Sequence, residues 1–344
     1  MSYLSMKSEL AEAIPGMSRI YAGTLVNRAW GVVRDSALWS FQLQQGGFAT
    51  ADLVSAGAVT VQPSPPSNLV VGDATASAAW GVLGWPFITT YQFRVQGYSI
   101  YSVVGADFTN PAAVVLYLDR PFIDPVTPTA GAGYQLLTAY VPAPSASFKR
   151  WLSVMDQFNS YALDIWTSRR DVNLSDPTRL YTSDPDVIMG IGQDQRGRGM
   201  YDAGGNSLAS ATLGWQLFEL WPNPTGANSY ATWYVDRGAD LAANDDLLPS
   251  PITDDVVLEK AKVYAYEWAE ARKDVMAAKG SGANYLTLAR EAEARFLARL
   301  KTLRLDDKDN VDAYNQRLNA ARGGVYLNPS YNSVTGRANM GWPR

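Results

Sequence analysis

Whatever chemistry this chain performs must come from carboxylates, arginines, lysines and hydroxyls, because its 344 residues include no cysteine and no histidine. Disulfides, thiolate nucleophiles, Cys or His metal sites and imidazole bases are thereby excluded. Asp236, Asp240, Asp245 and Asp246 are the acids that could supply a glycosidase pair, in which about 5–10 Å separates the two carboxyl groups. They stand on a loop before a helix, where acids are ordinarily solvated, and are read that way. Gly190-Ile191-Gly192 lacks the third glycine of a dinucleotide fingerprint, and no Gly-Lys-Ser/Thr phosphate loop occurs. Arg196-Gly197-Arg198-Gly199 sets two guanidinium forks among glycines, suited to a phosphate or to a neighbouring subunit's carboxylates; a solvated or assembly-ordered loop is the default. Asp306-Asp307-Lys308-Asp309 looks like the start of a calcium loop but has neither the turn glycine nor the closing glutamate. It is expected to be a charged turn between helices. No catalytic, cofactor-binding or metal-binding residue is predicted.

The elements that would position these groups change type along the chain. Ser8 to Ile14 reads as a short helix stopped by Pro15-Gly16, and Tyr21, Leu25, Ala29, Trp30 and Val33 mark a second. Leu38, Trp39, Phe41 and Leu43 follow, with Gly46-Gly47 as the break. From Gly57 to Val141 the period drops to two, giving five or six strands, among them a hairpin from Phe93 and Val95 through Gln96-Gly97 to Tyr98, Ile100 and Val103. Phe148, Trp151, Leu152, Met155 and Phe158 suggest a return to helix over 147–166. Residues 190–205 look like loop, and 215–221 with 229–236 look like a long hairpin around Pro222-Asn223-Pro224-Thr225-Gly226.

After Leu248-Pro249 the pattern becomes helical again. Ser250 is the expected N-cap, with Pro251 at the first helical position and Asp254 and Asp255 in the first turn, against the positive end of the helix dipole. Val257, Ala261, Tyr264, Trp268, Ala271 and Val275 form its apolar stripe, and 254–279 would span about 39 Å. Glu291 and Arg295 sit at the i,i+4 spacing of an exposed face on the next helix. A last helix is expected from Val311 to Gly323-Gly324.

The whole reads as α+β. A discontinuous helical bundle comes from both termini (1–45, 147–170 and 248–322). It is interrupted by a small antiparallel β-sandwich or barrel (57–142) and by a loop and long β-hairpin (190–237). An extended C-terminal arm follows (323–344).

Net charge is −4, but residues 1–150 are neutral, 151–250 carry −7 and 251–344 carry +3. No segment is basic enough for a nucleic-acid binder. An acidic middle suits solubility, and also a surface past which DNA phosphates must slide. Neither a signal peptide nor a run of about 18 apolar residues is present, so no membrane partner is expected.

Several segments are similar to tailed-bacteriophage head–tail connector (adaptor) proteins. They are Leu25-Val26-Asn27-Arg28-Ala29-Trp30, Gly57-Ala58-Val59-Thr60-Val61, Val70-Val71-Gly72 and Leu116 to Phe122. Trp221-Pro222, Tyr234 to Arg237, Leu247-Leu248-Pro249 and Ala265 to Ala269 continue the likeness over roughly 5–305. The resemblance implies a non-enzymatic virion protein of the neck, assembled in the host cytoplasm. It would form a ring, usually a dodecamer, between the portal protein and tail or neck proteins. Genomic DNA would pass through the ring without sequence-specific binding.

The arm sharpens this expectation. Tyr326, Tyr331 and Trp342 stand on an otherwise polar tail ending in Arg344, and such aromatics serve as anchors on a portal or a neighbouring subunit. With Arg196 and Arg198 they are the predicted contact residues. A different class of function is also open: an aromatic-rich β-module could bind glycans as a receptor-binding tail component. That reading requires exposed Trp clustered on one sheet face.

Overall fold

The computed structural model describes residues 1–84, 87–126, 129–166, 168–193, 199–201, 207–211, 215–272 and 284–321. Within them the chain is mixed α+β, with six α-helices and mainly antiparallel sheets. The helices are α1 (Tyr3–Ala13), α2 (Arg19–Asp35), α3 (Ala74–Leu83), α4 (Arg170–Ser175), α5 (Asp254–Glu270) and α6 (Tyr285–Ala321). Among the described residues the chain divides into two compact units, one holding residues 1–44 and 235–321, the other residues 45–234. No described helix is long and apolar enough to cross a membrane.

The first unit is helical. Ser18 caps α2 by accepting from the Tyr21 N–H at 3.2 Å, and α2 then buries Ala22, Leu25, Val26, Ala29, Trp30 and Val33. That stripe shares one core with Val256, Val257, Ala261, Ala265 and Ala269 of α5 and with Phe296 and Leu300 of α6. Alanines four residues apart keep α5 thin, so α1, α2 and α6 all close on it. Its burial is consequently broader than the single stripe read from the sequence: Leu258, Glu259 and Val263 are buried too.

Three expectations need correction here, and a fourth lies outside the described residues. The N-cap of α5 is Thr253 rather than Ser250, although Asp254 and Asp255 do occupy the first turn. Residues 273–283, where the stripe was to continue, lie outside the described residues. There is no turn at Asp306–Asp309, because α6 runs unbroken for 37 residues, about 55 Å. Asp307 is turned inward, 1% exposed, and accepts from the Ser40 N–H at 2.7 Å and the Ser40 hydroxyl at 2.5 Å. It thereby holds the 3-10 turn Ser40–Gln42, which a solvated acid would not do. Finally, Gly46-Gly47 does not break the chain but lies inside β1 (Leu43–Ala49). A Cβ on Gly47 would stand 2.8 Å from the Tyr230 carbonyl oxygen, so the glycine permits close strand approach.

The second unit contains a curled six-stranded antiparallel sheet. Its strands are β2 (Val59–Pro63), β3 (Pro66–Gly72), β4 (Gln92–Val95), β5 (Tyr101–Asp107), β6 (Val115–Phe122) and β7 (Tyr134–Leu137), in the order β2-β3-β6-β5-β4-β7. Val59 and Ala132 exchange both backbone hydrogen bonds at 3.0 Å, tying the two edges of the sheet at one point. The β4–β5 pair is the expected hairpin, with Gly97 at φ +87° in its connection. α3 is an element the alternation did not reveal. Asp73 caps it by accepting from the Ala76 N–H at 2.7 Å, Gly84 ends it at φ +68°, and Trp80 drives fully into the sheet's core.

The rest of this unit departs most from expectation. Residues 147–166 are strands, not helix: β9 (Phe148–Asp156), β10 (Tyr161–Ala162) and β11 (Asp164–Trp166), following β8 (Tyr140–Pro142). Lys149 and Arg150 are both exposed, so Phe148, Trp151 and Val154 face inward three apart and imitate a helical stripe. β12 (Val187–Gln193) occupies the start of the expected loop, followed by the paired β13 (Gly199–Tyr201) and β14 (Ser207–Ala211). β15 (Gln216–Trp221) and β16 (Ser229–Asp236) are strands as expected, but they do not pair with each other. They belong to separate four-stranded sheets, β11-β12-β15-β8 and β1-β16-β9-β10. Both sheets share a core of Phe148, Trp151, Ile188, Phe218, Leu220 and Tyr230. Period-two alternation identifies a strand without naming its partner.

Candidate functional site

Of the acids considered for a catalytic pair, Asp236 and Asp246 are used by the backbone and Asp240 by an arginine. Asp236 accepts from the Gly238 N–H at 2.7 Å, and Asp246 accepts from the Ala242 and Ala243 N–H groups at 2.6 and 2.8 Å. Asp240 accepts from Arg34 Nη1 at 2.8 Å, while the same nitrogen donates to the Gly238 carbonyl. These bonds shape the loop that leads into α5. Gly190-Ile191-Gly192 lies in β12 at a register shift against β15, a β-bulge with Gly192 at φ +130°, rather than at the mouth of a helix.

A second set of charges is buried in the β-rich unit. Glu219 of β15 is fully enclosed, with Arg179 Nε and Arg169 Nη2 each 2.6 Å from its carboxylate oxygens. Arg179 also donates to Asn173 at 2.5 Å and sits at φ +57°, a conformation costly for a residue with a Cβ. Asp176 accepts from the Leu180 and Tyr181 N–H groups and from Trp221 Nε1, and Asn223 donates to the Arg179 carbonyl. Arg94, held down in its pKa by burial, donates to the same carbonyl. Every charge here faces another charge or a backbone group, which makes it a strap for residues 176–181 rather than an open site.

The arrangement best suited to contact lies on α6. One side of this helix meets α5, with Lys260–Glu293 at 2.8 Å, Arg295–Glu259 at 2.9 Å and Arg299–Asp255 at 3.1 Å. The expected Glu291–Arg295 pair is present at 4.0 Å. The remaining face exposes Leu286 (48%), Leu297 (55%) and Leu305 (62%). At about 100° per residue, exposed Arg290, Lys301 and Lys308 form a basic edge beside Leu286 and Leu297, and exposed Glu291, Asp309 and Asp312 form an acidic edge around Leu305. The helix thus carries a basic edge and an acidic edge side by side on its exposed face, with exposed leucine in each. Spacing over 285–321 contains this pattern, but the assumed break at 306–309 concealed it by cutting the helix in two.

A pocket of about 290 Å³ opens elsewhere in the helical unit, on the loop shaped by Asp236, Asp240 and Asp246. Trp30 and Phe41, stacked with centroids 5.8 Å apart, form part of its wall with Leu241, Leu247 and Pro249. The Trp30 indole N–H is already committed to the Ala239 carbonyl at 3.0 Å. What the pocket offers is therefore an aromatic surface with carboxylates at hand.

Of the residues predicted from sequence as contacts, Arg196, Arg198, Tyr326, Tyr331, Trp342 and Arg344 all lie outside the described residues. The exposed tryptophan cluster that glycan binding requires is not found among the described residues, whose tryptophans are all buried or half-buried. Trp80 and Trp151 of the β-rich unit are core residues. Compared with known proteins, the chain matches no family model and no curated protein sequence.

Proposed function

We propose that this chain is a structural protein that assembles side by side with copies of itself into a closed ring. In this reading the ring is the head-to-tail adaptor of a tailed bacteriophage, between portal and tail, with the DNA channel running through it. The free face of α6 carries the proposal. A face with a basic edge beside an acidic one, each holding exposed leucine, is complementary to the same helix in a neighbour, basic edge to acidic edge. Such a contact is heterologous: each copy offers two different surfaces, and successive copies close into a ring if the rotation allows. Burial of the leucines supplies attraction, about 1.5–3 kcal/mol for each that becomes fully covered, while the charges set register and exclude wrong pairings.

Other features support the same reading. Charge is spent on straps and caps rather than gathered around a cleft, which suits a load-bearing part. The helical unit is built from segments at both ends of the described chain, the order expected of a connector. The acidic balance of 151–250 is compatible with a wall past which DNA moves.

Negative-stain electron microscopy of the purified protein over a range of concentrations tests the proposal. Rings of one diameter with a central hole are expected. Monomers at every concentration, or open filaments, would count against it.

A further inference from the structure

The pocket on the helical unit has a size and a charge that select an occupant. At about 290 Å³ it falls below the range typical of sites for small organic ligands, roughly 300–1,000 Å³, and suits a single large side chain. Its walls are apolar and aromatic, and Asp240 and Asp246 line it as well. The Asp240 side chain remains 70% exposed despite its bond to Arg34, and so can take a second cation. Leu247, also on the wall, is 69% exposed and offers apolar surface to an occupant.

The chain itself contains a segment of matching chemistry. Residues 323–344 carry Arg337 and Arg344 and no acid, with Trp342 two positions before Arg344. Trp342 lies 21 residues beyond Ala321, the last residue of α6, a separation that extended chain bridges over as much as about 70 Å. In a ring of side-by-side copies such an arm is long enough to extend to a neighbour.

We infer that the pocket receives Trp342 from the arm of a second copy, with Arg344 pairing with the exposed carboxylate of Asp240. Trp342 packs against the half-buried Phe41 and covers Leu247. The arm thus acts as a strap from one subunit to the next. This rests on the ring reading for the source of the arm, but the recognition itself can be tested without a ring.

The experiment uses the chain truncated after Gly323 and a labelled synthetic peptide of residues 324–344, followed by fluorescence anisotropy and calorimetry. Saturable one-site binding is expected, weakened by raising salt from 50 to 500 mM. Trp342→Ala in the peptide, or Leu247→Lys in the protein, is expected to weaken binding by about tenfold or more, the scale of a buried aromatic anchor. Leu247 is exposed enough for the variant to fold, which its circular dichroism and melting profile would verify. Absence of binding, or binding indifferent to both changes, overturns the inference. If the truncated protein forms rings yet does not bind the peptide, this inference fails and the ring reading stands. If the peptide binds to a protein that never forms rings, the reverse holds.

Discussion

Glu219 in the β-rich unit is closed over by Arg169 and Arg179, whereas Arg290, Lys301 and Lys308 of the helical unit stand in solvent along α6. Charges of the first kind fix internal geometry; each is matched at home and has little left for a partner. Those on α6 are sorted by sign into two adjoining edges of its exposed face, an order that brings nothing to the isolated subunit. Surface ion pairs contribute little to folding, so such sorting is informative about assembly. The contrast separates residues that hold the subunit together from residues that would hold subunits to each other.

The contrast breaks most visibly at Glu219. Replacing it with Ala leaves the buried Arg179 guanidinium and the half-buried Arg169 without their carboxylate, and a loss of about 3–5 kcal/mol is expected. A urea titration would record it as a lowered midpoint. A variant as stable as the wild type would mean that these charges are solvated and that the strap does not exist.

Asp307 is the exception within the helical unit, a buried acid on the very helix that otherwise displays its charges. Asp307→Ala should cost about 1–3 kcal/mol by stranding the Ser40 N–H. Asp309→Ala, two residues on and exposed, should change thermal stability by less than about 0.5 kcal/mol. Equal effects at the two positions would erase the distinction.

Alkaline titration provides a gentler probe of the β-rich unit. Burial, reinforced by the Asp73 carboxylate, pushes Tyr134 up to about 12, and its hydroxyl donates to the Ala56 carbonyl at 2.8 Å. The unfolded chain loses this proton near 10 while the folded chain keeps it, so stability is intact below pH 10 and declines as pH rises toward 12. Tyr134→Phe is expected to cost about 1 kcal/mol at pH 7 and to flatten the decline. A decline of unchanged slope would assign it to other groups.

Much of the fold is legible in the residues. Ser18 and the apolar spacing of α2 announce that helix, and Val59, Val61 and the 69–71 run announce β2 and β3. α3 escaped because Ala74 to Ala79 are small, leaving Trp80 as its one large buried residue, although Asp73 and Gly84 mark both ends. β9 was misread because two adjacent exposed cations shift its inward residues to a spacing of three. The pairing of β15 and β16 with separate sheets depends on contacts distant in sequence, such as Leu217 of β15 with Pro142 of β8. Of the candidate site, the opposing edges of α6 were present in the sequence but hidden by reading Asp306–Asp309 as a turn. The pocket was not legible at all, since Trp30, Phe41 and the 238–249 loop meet only on folding.

The smallest expected change in stability accompanies the largest expected change in assembly. Lys301→Glu with Lys308→Glu makes the basic edge of α6 acidic, and Asp309→Lys with Asp312→Lys makes the acidic edge basic. Each double variant should fold with near-native stability. Sedimentation velocity of the two variants, alone and mixed, tests the ring contact directly. The account predicts that each variant alone fails to form the wild-type ring, because both of its edges now carry the same sign. Mixed in equal amounts, the two should recover co-sedimenting oligomers, since each edge then finds its opposite. Wild-type assembly by either variant alone, or no recovery on mixing, would contradict the claim that α6 joins one subunit to the next.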